Sequence, residues 1–397
     1  MSWPEVKLSE VIEYIRGVTF KPSQKMEPYS EGSVVCFTTA NVQKKLDITK
    51  LTAIEETVVK RDERFIKSGD LLISSANSWE LVGKTVHVPD LKYKATAGGF
   101  IGIIRPTNID SRYLYYWITS DESQLKIRHL GRQTTNISNL SIPRFLNLKI
   151  PLPSISEQKK IAAILDKADE IKQASENVTT MRQQLLLSTF YEMFHSDRSV
   201  RSNWPVMRIE ELALQRKNSM RTGPFGSNLL HSEFVDEGIP VLGIDNVVDN
   251  VFKWKKERYI TEEKYRSLER YTVFPGDLLV TIMGTVGRTA VCPDDLPVCI
   301  NTKHLACITL NQELVHPSFV SYSLRHDQEI LMQIQLKNRG AIMDGLNLTL
   351  IKSLNMCIPP IELQRQFVEI MNRILDLDEQ IEYANNTTLS LTQELIG

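Results

Sequence analysis

Laid over itself with a shift near 206 residues, the sequence returns the same landmarks in the same order. Trp3-Pro4 answers Trp204-Pro205, Glu31-Gly32 answers Glu237-Gly238, and Asn41-Val42 answers Asn246-Val247. Gly69-Asp70-Leu71-Leu72 then matches Gly276-Asp277-Leu278-Leu279, and Val82-Gly83-Lys84-Thr85 matches Val286-Gly287-Arg288-Thr289. Leu152-Pro153-Ser154-Ile155 matches Ile358-Pro359-Pro360-Ile361, followed by Gln158 and Gln364. Gly-Asp and Val-Gly are ordinary turn vocabulary taken singly. An ordered series whose spacing drifts by only a few residues is a duplication, and 397 residues are more than one core usually organises. Two copies of one fold are therefore expected.

Each copy divides in two. Residues 1–153 and 204–360 mix short β-type runs, such as 33–38 and 71–74, with Gly, Pro and Asn punctuation. Each also holds one amphipathic stretch at helical spacing, 113–127 and 319–334, so an α+β domain is expected. A helix follows each domain, over 154–195 and over 361–397, with a linker at 196–203.

In the second helix Phe367, Ile370, Ile374, Leu377, Ile381, Ala384, Thr388, Leu391 and Leu395 step by threes and fours. Ile161, Ile164, Ala168, Ile171, Ser175, Val178, Arg182, Leu185 and Thr189 repeat that phase in the first. Packing on the domains alone is one use of such a stripe; the length and the lack of Gly or Pro favour an antiparallel coiled-coil pair with pseudo-twofold symmetry. About 35 residues at 1.5 Å each make roughly 50 Å, comparable with one to one and a half turns of B-DNA.

Composition matters here mainly through charge. The formal net charge of -1 argues mildly against nucleic-acid binding, yet residues 1–153 carry about five more basic than acidic side chains, and the last helix is acidic. The five cysteines form no C-x-x-C pair, which disfavours a disulfide framework or zinc knuckle. The N-terminus lacks a signal-peptide pattern and no apolar run approaches membrane-spanning length, so a cytoplasmic location without membrane contact is expected.

The Gly-Asp-Leu-Leu strand, the Ile-Pro-Leu-Pro-x-Ile-x-x-Gln run at 150–158 with its copy at 358–364, and Thr222-Gly223-Pro224-Phe225-Gly226-Ser227 resemble the specificity subunit of type I restriction-modification enzymes. The resemblance spans nearly the whole chain. It implies a non-catalytic subunit whose two target recognition domains read the halves of a split duplex DNA site while the helices set the gap. It further implies two methyltransferase subunits that use S-adenosylmethionine, and restriction subunits that use ATP and Mg2+, all on partner chains. Arg16-Gly17-Val18-Thr19-Phe20 departs from the Gly-Pro-Phe-Gly run of the second copy, so the domains are expected to read different half-sites.

Catalytic signatures are absent from the sequence. There is no Asn-Pro-Pro-Tyr-type tetrapeptide, and Val82-Gly83-Lys84-Thr85 lacks the upstream glycine of a phosphate-binding loop. The histidines show no zinc-hydrolase spacing, and the Gly-Asp pairs read as turns into buried strands. No catalytic, metal or cofactor-binding residue is expected in this chain.

Arg reads guanine and Asn or Gln reads adenine, whereas Lys, Ser and Thr meet phosphates. In the first domain these residue types nominate Arg16, Lys21, Thr38, Asn41, Asn77 and Arg105, and above all the loop with Arg132, Gln133, Thr134 and Asn136. In the second they nominate Arg221, Ser227, Asn228, Arg288, Asn301, Lys303, Lys337 and Arg339. For any one of them a solvated polar loop is the competing assignment. Two other functions compete with the DNA reader: a stand-alone restriction or modification enzyme, opposed by the missing motifs, and a protein-binding coiled-coil scaffold, from which salt-sensitive binding to duplex DNA would discriminate, since a scaffold for proteins alone should show none.

Overall fold

A computed structural model of the chain describes residues 3–133, 138–255, 257–337 and 346–376. It divides into two compact units, the second beginning at Asn177.

The first domain is built on an antiparallel four-stranded sheet in the order Ile12–Arg16, Ile101–Pro106, Leu71–Ser74, Thr85–His87. Leu71, Leu72 and Ile73 are fully buried, because apolar side chains on both faces let this strand face two cores at once. Leu71 and Ile73 pack under the helices with Leu114 and Phe145, while Leu72 faces Phe37 and Ile103. A second sheet contains Ser33–Phe37 paired in parallel with Ala95–Ala97. Glu5–Lys7 pairs with Lys149–Pro151 and so closes the domain beside its own termini.

The second domain repeats the plan. Its main sheet runs Met220–Thr222, Leu305–Ile308, Leu278–Thr281, Thr289–Val291. Ile239–Leu242 pairs in parallel with Cys299–Asn301, and Val206–Arg208 with Asn355–Cys357 closes the unit.

Both amphipathic stretches differ from expectation in being broken. Residues 111–129 form two helices, Ser111–Thr119 and Asp121–His129, because Ser120 turns to extended backbone at ψ 148° and its hydroxyl accepts from the Ser123 amide. Asp327 does the same between Pro317–His326 and Gln328–Lys337, accepting from the Glu329 amide. The expected linker at 196–203 likewise contains a short helix, Arg198–Arg201, capped by Asp197.

One helix, Ile155–His195, leaves the first domain and reaches the second. Gln158, 1% exposed, ties its start to the first domain: Oε1 accepts from the Asp110 amide at 2.8 Å and Nε2 donates to the Pro153 carbonyl at 2.8 Å. Gln364 makes the same pair of bonds to the His316 amide and the Pro359 carbonyl at the start of the helix that begins at 361. Asp110 and His316 are the N-caps of the two domain helices.

The apolar stripe of the long helix is shared out. Ile161 and Leu165 belong to the first domain's core, and Leu186, Phe190 and Phe194 to the second's, where Phe367 also lies and Ile374 packs from the side. Between these ends Ala168, Ser175, Arg182 and Thr189 are half-buried, whereas Ile164, Ile171, Val178 and Leu185 are exposed. Half of the expected seam therefore turns outward, since the spacing of seven places those four residues on a line of their own. Ile370 is at the margin of exposure. Leu377, Ile381 and Leu391, with the rest of the expected partner helix beyond 376, lie outside the described residues.

Candidate DNA-reading edges

The strand registers bring the same three loops together at one edge of each main sheet. In the first domain Ile12–Arg16 ends opposite Gly102, and Leu71–Ser74 ends opposite Ile101, so the segments after Arg16, after Ser74 and before Ile101 meet. In the second, Thr222 faces Ala306 and Thr281 faces Leu305, which gathers the segments after Thr222, after Thr281 and before Leu305. Backbone bonds fix the correspondence: the Ser75 amide donates to the Phe100 carbonyl at 2.9 Å, and the Ile282 amide to the His304 carbonyl at 2.9 Å.

The crossing of two of these segments requires glycine. A Cβ on Gly17 would lie 2.2 Å from the Gly98 carbonyl oxygen, and one on Gly223 would lie 2.0 Å from the Asn301 carbonyl oxygen. The departure between Arg16-Gly17-Val18-Thr19 and Thr222-Gly223-Pro224-Phe225 is thus a change of side chains around one shared crossing.

Several sequence-nominated residues turn out to brace these loops. Asn41 is buried; its Oδ1 accepts from the Thr38 amide and hydroxyl, and its Nδ2 donates to the Asp47 and Lys50 carbonyls. Thr38 is committed to that cluster. Asn301 is fully buried and donates to the Thr302 and Leu305 carbonyls.

Arg105 forks onto Asp70, with Nε to Oδ1 at 3.0 Å and Nη2 to Oδ2 at 2.8 Å, and donates to the Glu63 and Phe65 carbonyls. Arg221 is buried against Asp277 at 2.5 Å and donates to the Asn218 and Thr272 carbonyls and the Thr309 hydroxyl. These placements correct the nomination of Asn41, Arg105, Arg221 and Asn301 as base readers, because each has its polar capacity turned inward. Cys307 donates its thiol to Asp277; burial first, and then the Asp277 charge, raise its pKa and keep it protonated.

Others remain at the edge. Arg16 and Lys21 are exposed, and Asn77, in a strand beside Ser138, is half-buried with Oδ1 accepting from the Ser78 amide. Ser227 and Asn228 are exposed, while Arg288 and Lys303 are half-buried. Lys337 is exposed but donates to the Ser353 carbonyl and hydroxyl at 2.8 Å. Gly131–Gln133 forms a strand against Ser138–Leu140, which places Arg132 and Gln133 in a hairpin; nothing further is described of their side chains. Thr134, Asn136 and Arg339 lie outside the described residues.

Residue typing missed two kinds of feature. Arg61 and Arg64 join Arg16, Glu13 and Tyr14 around a cleft of about 480 Å³ beside that edge. The second kind is apolar: Trp79 and Phe100 in the first domain and Phe225 and Met283 in the second are exposed. Glycines beside Phe100 and Phe225 were the available signal, since a glycine-flanked aromatic in a turn has little chance of reaching a core. Among the described residues no group of three or more His, Cys, Asp or Glu side chains is arranged to hold a metal ion.

Two copies of an α+β fold, each with a loop edge built on one plan and carrying different side chains, define a tandem-repeat protein. Residues 2–182 and 201–390 both match the family model described as the type I restriction modification DNA specificity domain, and the chain belongs to this family. Aligned over all of its length, the chain is 25% identical to the type I restriction enzyme EcoKI specificity subunit of Escherichia coli strain K12, covering 88% of that protein. It is 24% identical to the type I restriction enzyme StySPI specificity subunit of Salmonella potsdam, again over 100% of this chain and 88% of that one. The fold is similar to the crystal structure of the type I restriction-modification S subunit from M. genitalium, with a TM-score of 0.62 at 15% identity, covering 100% of this chain and 95% of that one.

Proposed function

We propose that this chain reads a split, asymmetric duplex DNA site, one half-site per domain, on behalf of a type I restriction-modification complex. The observation that carries this reading is the pair of corresponding edges with non-corresponding side chains. Arg16 stands where the second domain has Thr222, Thr19 where it has Phe225, and Phe100 where it has His304. One backbone plan with two side-chain sets suits two different half-sites.

The helices after the domains act as the spacer, and the exposed apolar line of the first acts as the surface that positions methyltransferase and restriction subunits. Chemistry belongs to those partners: S-adenosylmethionine on the methyltransferase subunits, ATP and Mg2+ on the restriction subunits. The chain itself is non-catalytic and works beside the chromosome in the cytoplasm; no described helix is long and apolar enough to cross a membrane.

The test is co-expression with the methyltransferase subunit of its own system, followed by base-resolution mapping of methylated adenine in the host genome. A two-part motif with a fixed gap is the expected result. An assembled complex that methylates without sequence preference overturns the reading.

A further inference from the structure

Each domain exposes one phenylalanine at the glycine crossing, and the two come from opposite sides of it. In the first domain the tight turn closed by the Ile101 amide on the Gly98 carbonyl, at 2.8 Å, holds up Phe100, which is 64% exposed. Across from that turn stands Thr19, whose hydroxyl would lie 3.1 Å from a Cβ on Gly99. In the second domain the corresponding turn, closed by Leu305 on Thr302, carries His304, and the facing segment carries Phe225, 48% exposed. The aromatic has changed strands while its place at the crossing is retained.

An exposed phenylalanine adds little to the free fold, because its ring stays largely in water. Scattered exposed apolar residues need no explanation, but two at one duplicated crossing do. The surroundings point to a polyanion: Arg16 and Lys21 are exposed beside the first crossing, and Lys303 directly precedes His304 in the second. Apolar side chains flanked by cations are what duplex-deforming proteins push between base steps, unstacking them at a cost of about a few kcal/mol.

We propose that Phe100 and Phe225 each insert into the base stack of the half-site their domain reads. Opening the stack there eases extrusion of the adenine that a methylating partner must reach, since a base inside a duplex is inaccessible to such chemistry. This rests on the half-site reading above.

The experiment uses the assembled complex and the duplex motif that methylation mapping returns. Complexes carrying Phe100→Ala or Phe225→Ala are compared with wild type on the intact duplex and on duplexes with a single mismatch in one half-site. Each variant is expected to lose affinity by about tenfold, with the thermal midpoint of the free chain unchanged. A mismatch in one half-site restores Phe100→Ala, and a mismatch in the other restores Phe225→Ala, each to within about threefold of wild type. Phe100→Leu and Phe225→Leu keep the apolar bulk and are expected to bind nearly as wild type does.

Binding unchanged by both alanine substitutions, or a loss that no mismatch in either half repairs, overturns the insertion. A wild-type complex that yields no motif overturns the half-site reading instead, before any variant is made.

Discussion

The two domains hold the same aspartate turn with arginines from different strands. In the first, Arg105 reaches Asp70 from the strand Ile101–Pro106, and Ile15 lies across from Ile103 in the neighbouring strand. In the second, Arg221 occupies the place of Ile15, across from Cys307, and a threonine, Thr309, stands where Arg105 does. The fork in the first domain is bidentate, whereas in the second Nε of Arg221 and Oδ1 of Asp277 are buried without a partner. The turn into the Leu-Leu strand is therefore the fixed requirement, and a buried carboxylate there needs a guanidinium from whichever strand supplies one.

The most damaging way to break this comparison is to remove the carboxylate. Asp277→Ala leaves Arg221, 6% exposed, as an uncompensated buried charge, and is expected to cost about 3–5 kcal/mol in denaturant unfolding. Asp70→Ala is expected to cost less, since Arg105 keeps 13% of its side-chain surface. An equal loss in both would show that depth of burial is not what separates the two pairs.

Next in size come the crossings. Gly17→Ala and Gly223→Ala each drive a methyl into a backbone carbonyl and are expected to cost about 1–3 kcal/mol by thermal unfolding. Neutral behaviour at either would mean that the crossing segments part easily.

A transplant sharpens the comparison instead. Ile15→Arg with Arg105→Thr converts the first domain to the second domain's arrangement. In a double-mutant cycle the pair is expected to recover about 1 kcal/mol or more relative to the sum of the single changes. Strict additivity would refute the exchange of strands.

The smallest effect is a matter of pH. Burial first, and then Arg112, depress His87 to about 4; burial first, and then Arg325, depress His326 to about 4. Arg325 can only donate, so at 3.3 Å Nε2 of His326 must be the acceptor and therefore unprotonated. A depressed folded-state pKa means that the unfolded chain binds more protons between the two values. The stability contribution is full above about 6.5 and falls as pH drops from there toward about 4. His326→Gln is expected to flatten part of that slope in thermal midpoints measured across the window, and an unaltered slope would remove His326 as its cause.

Much of the architecture was legible because a duplication shows in spacing alone. The strand at Leu71–Ser74 and the start of the long helix at Ile155 fall where apolar runs and the Pro-Ser lead-in place them. The helix breaks were not legible: Ser120 and Asp327 are polar residues that a continuous helix could also carry on its outer face, and only tertiary packing selects the turn. The candidate site was half legible. Residue type singles out Asn41, Arg105, Arg221 and Asn301 as readily as Arg16 and Lys21, yet burial separates them, and burial depends on partners such as Asp70 that lie far away in sequence. Phe100 and Phe225 escaped for the opposite reason, since an aromatic residue is expected inside.

The two glutamines at the starts of the helices that follow the domains set what a replacement domain would have to supply. Gln158 and Gln364 grip their domains through a helix N-cap amide and a proline carbonyl, groups that any residue sequence of the same backbone provides. The glutamine grip asks only for a backbone shape, while Ile161 and Leu165 a turn or two further on ask for a matching apolar core. A foreign domain arriving with the same two main-chain groups in place is expected to accept the glutamine, and to seat the helix only where its own core also receives Ile161 and Leu165.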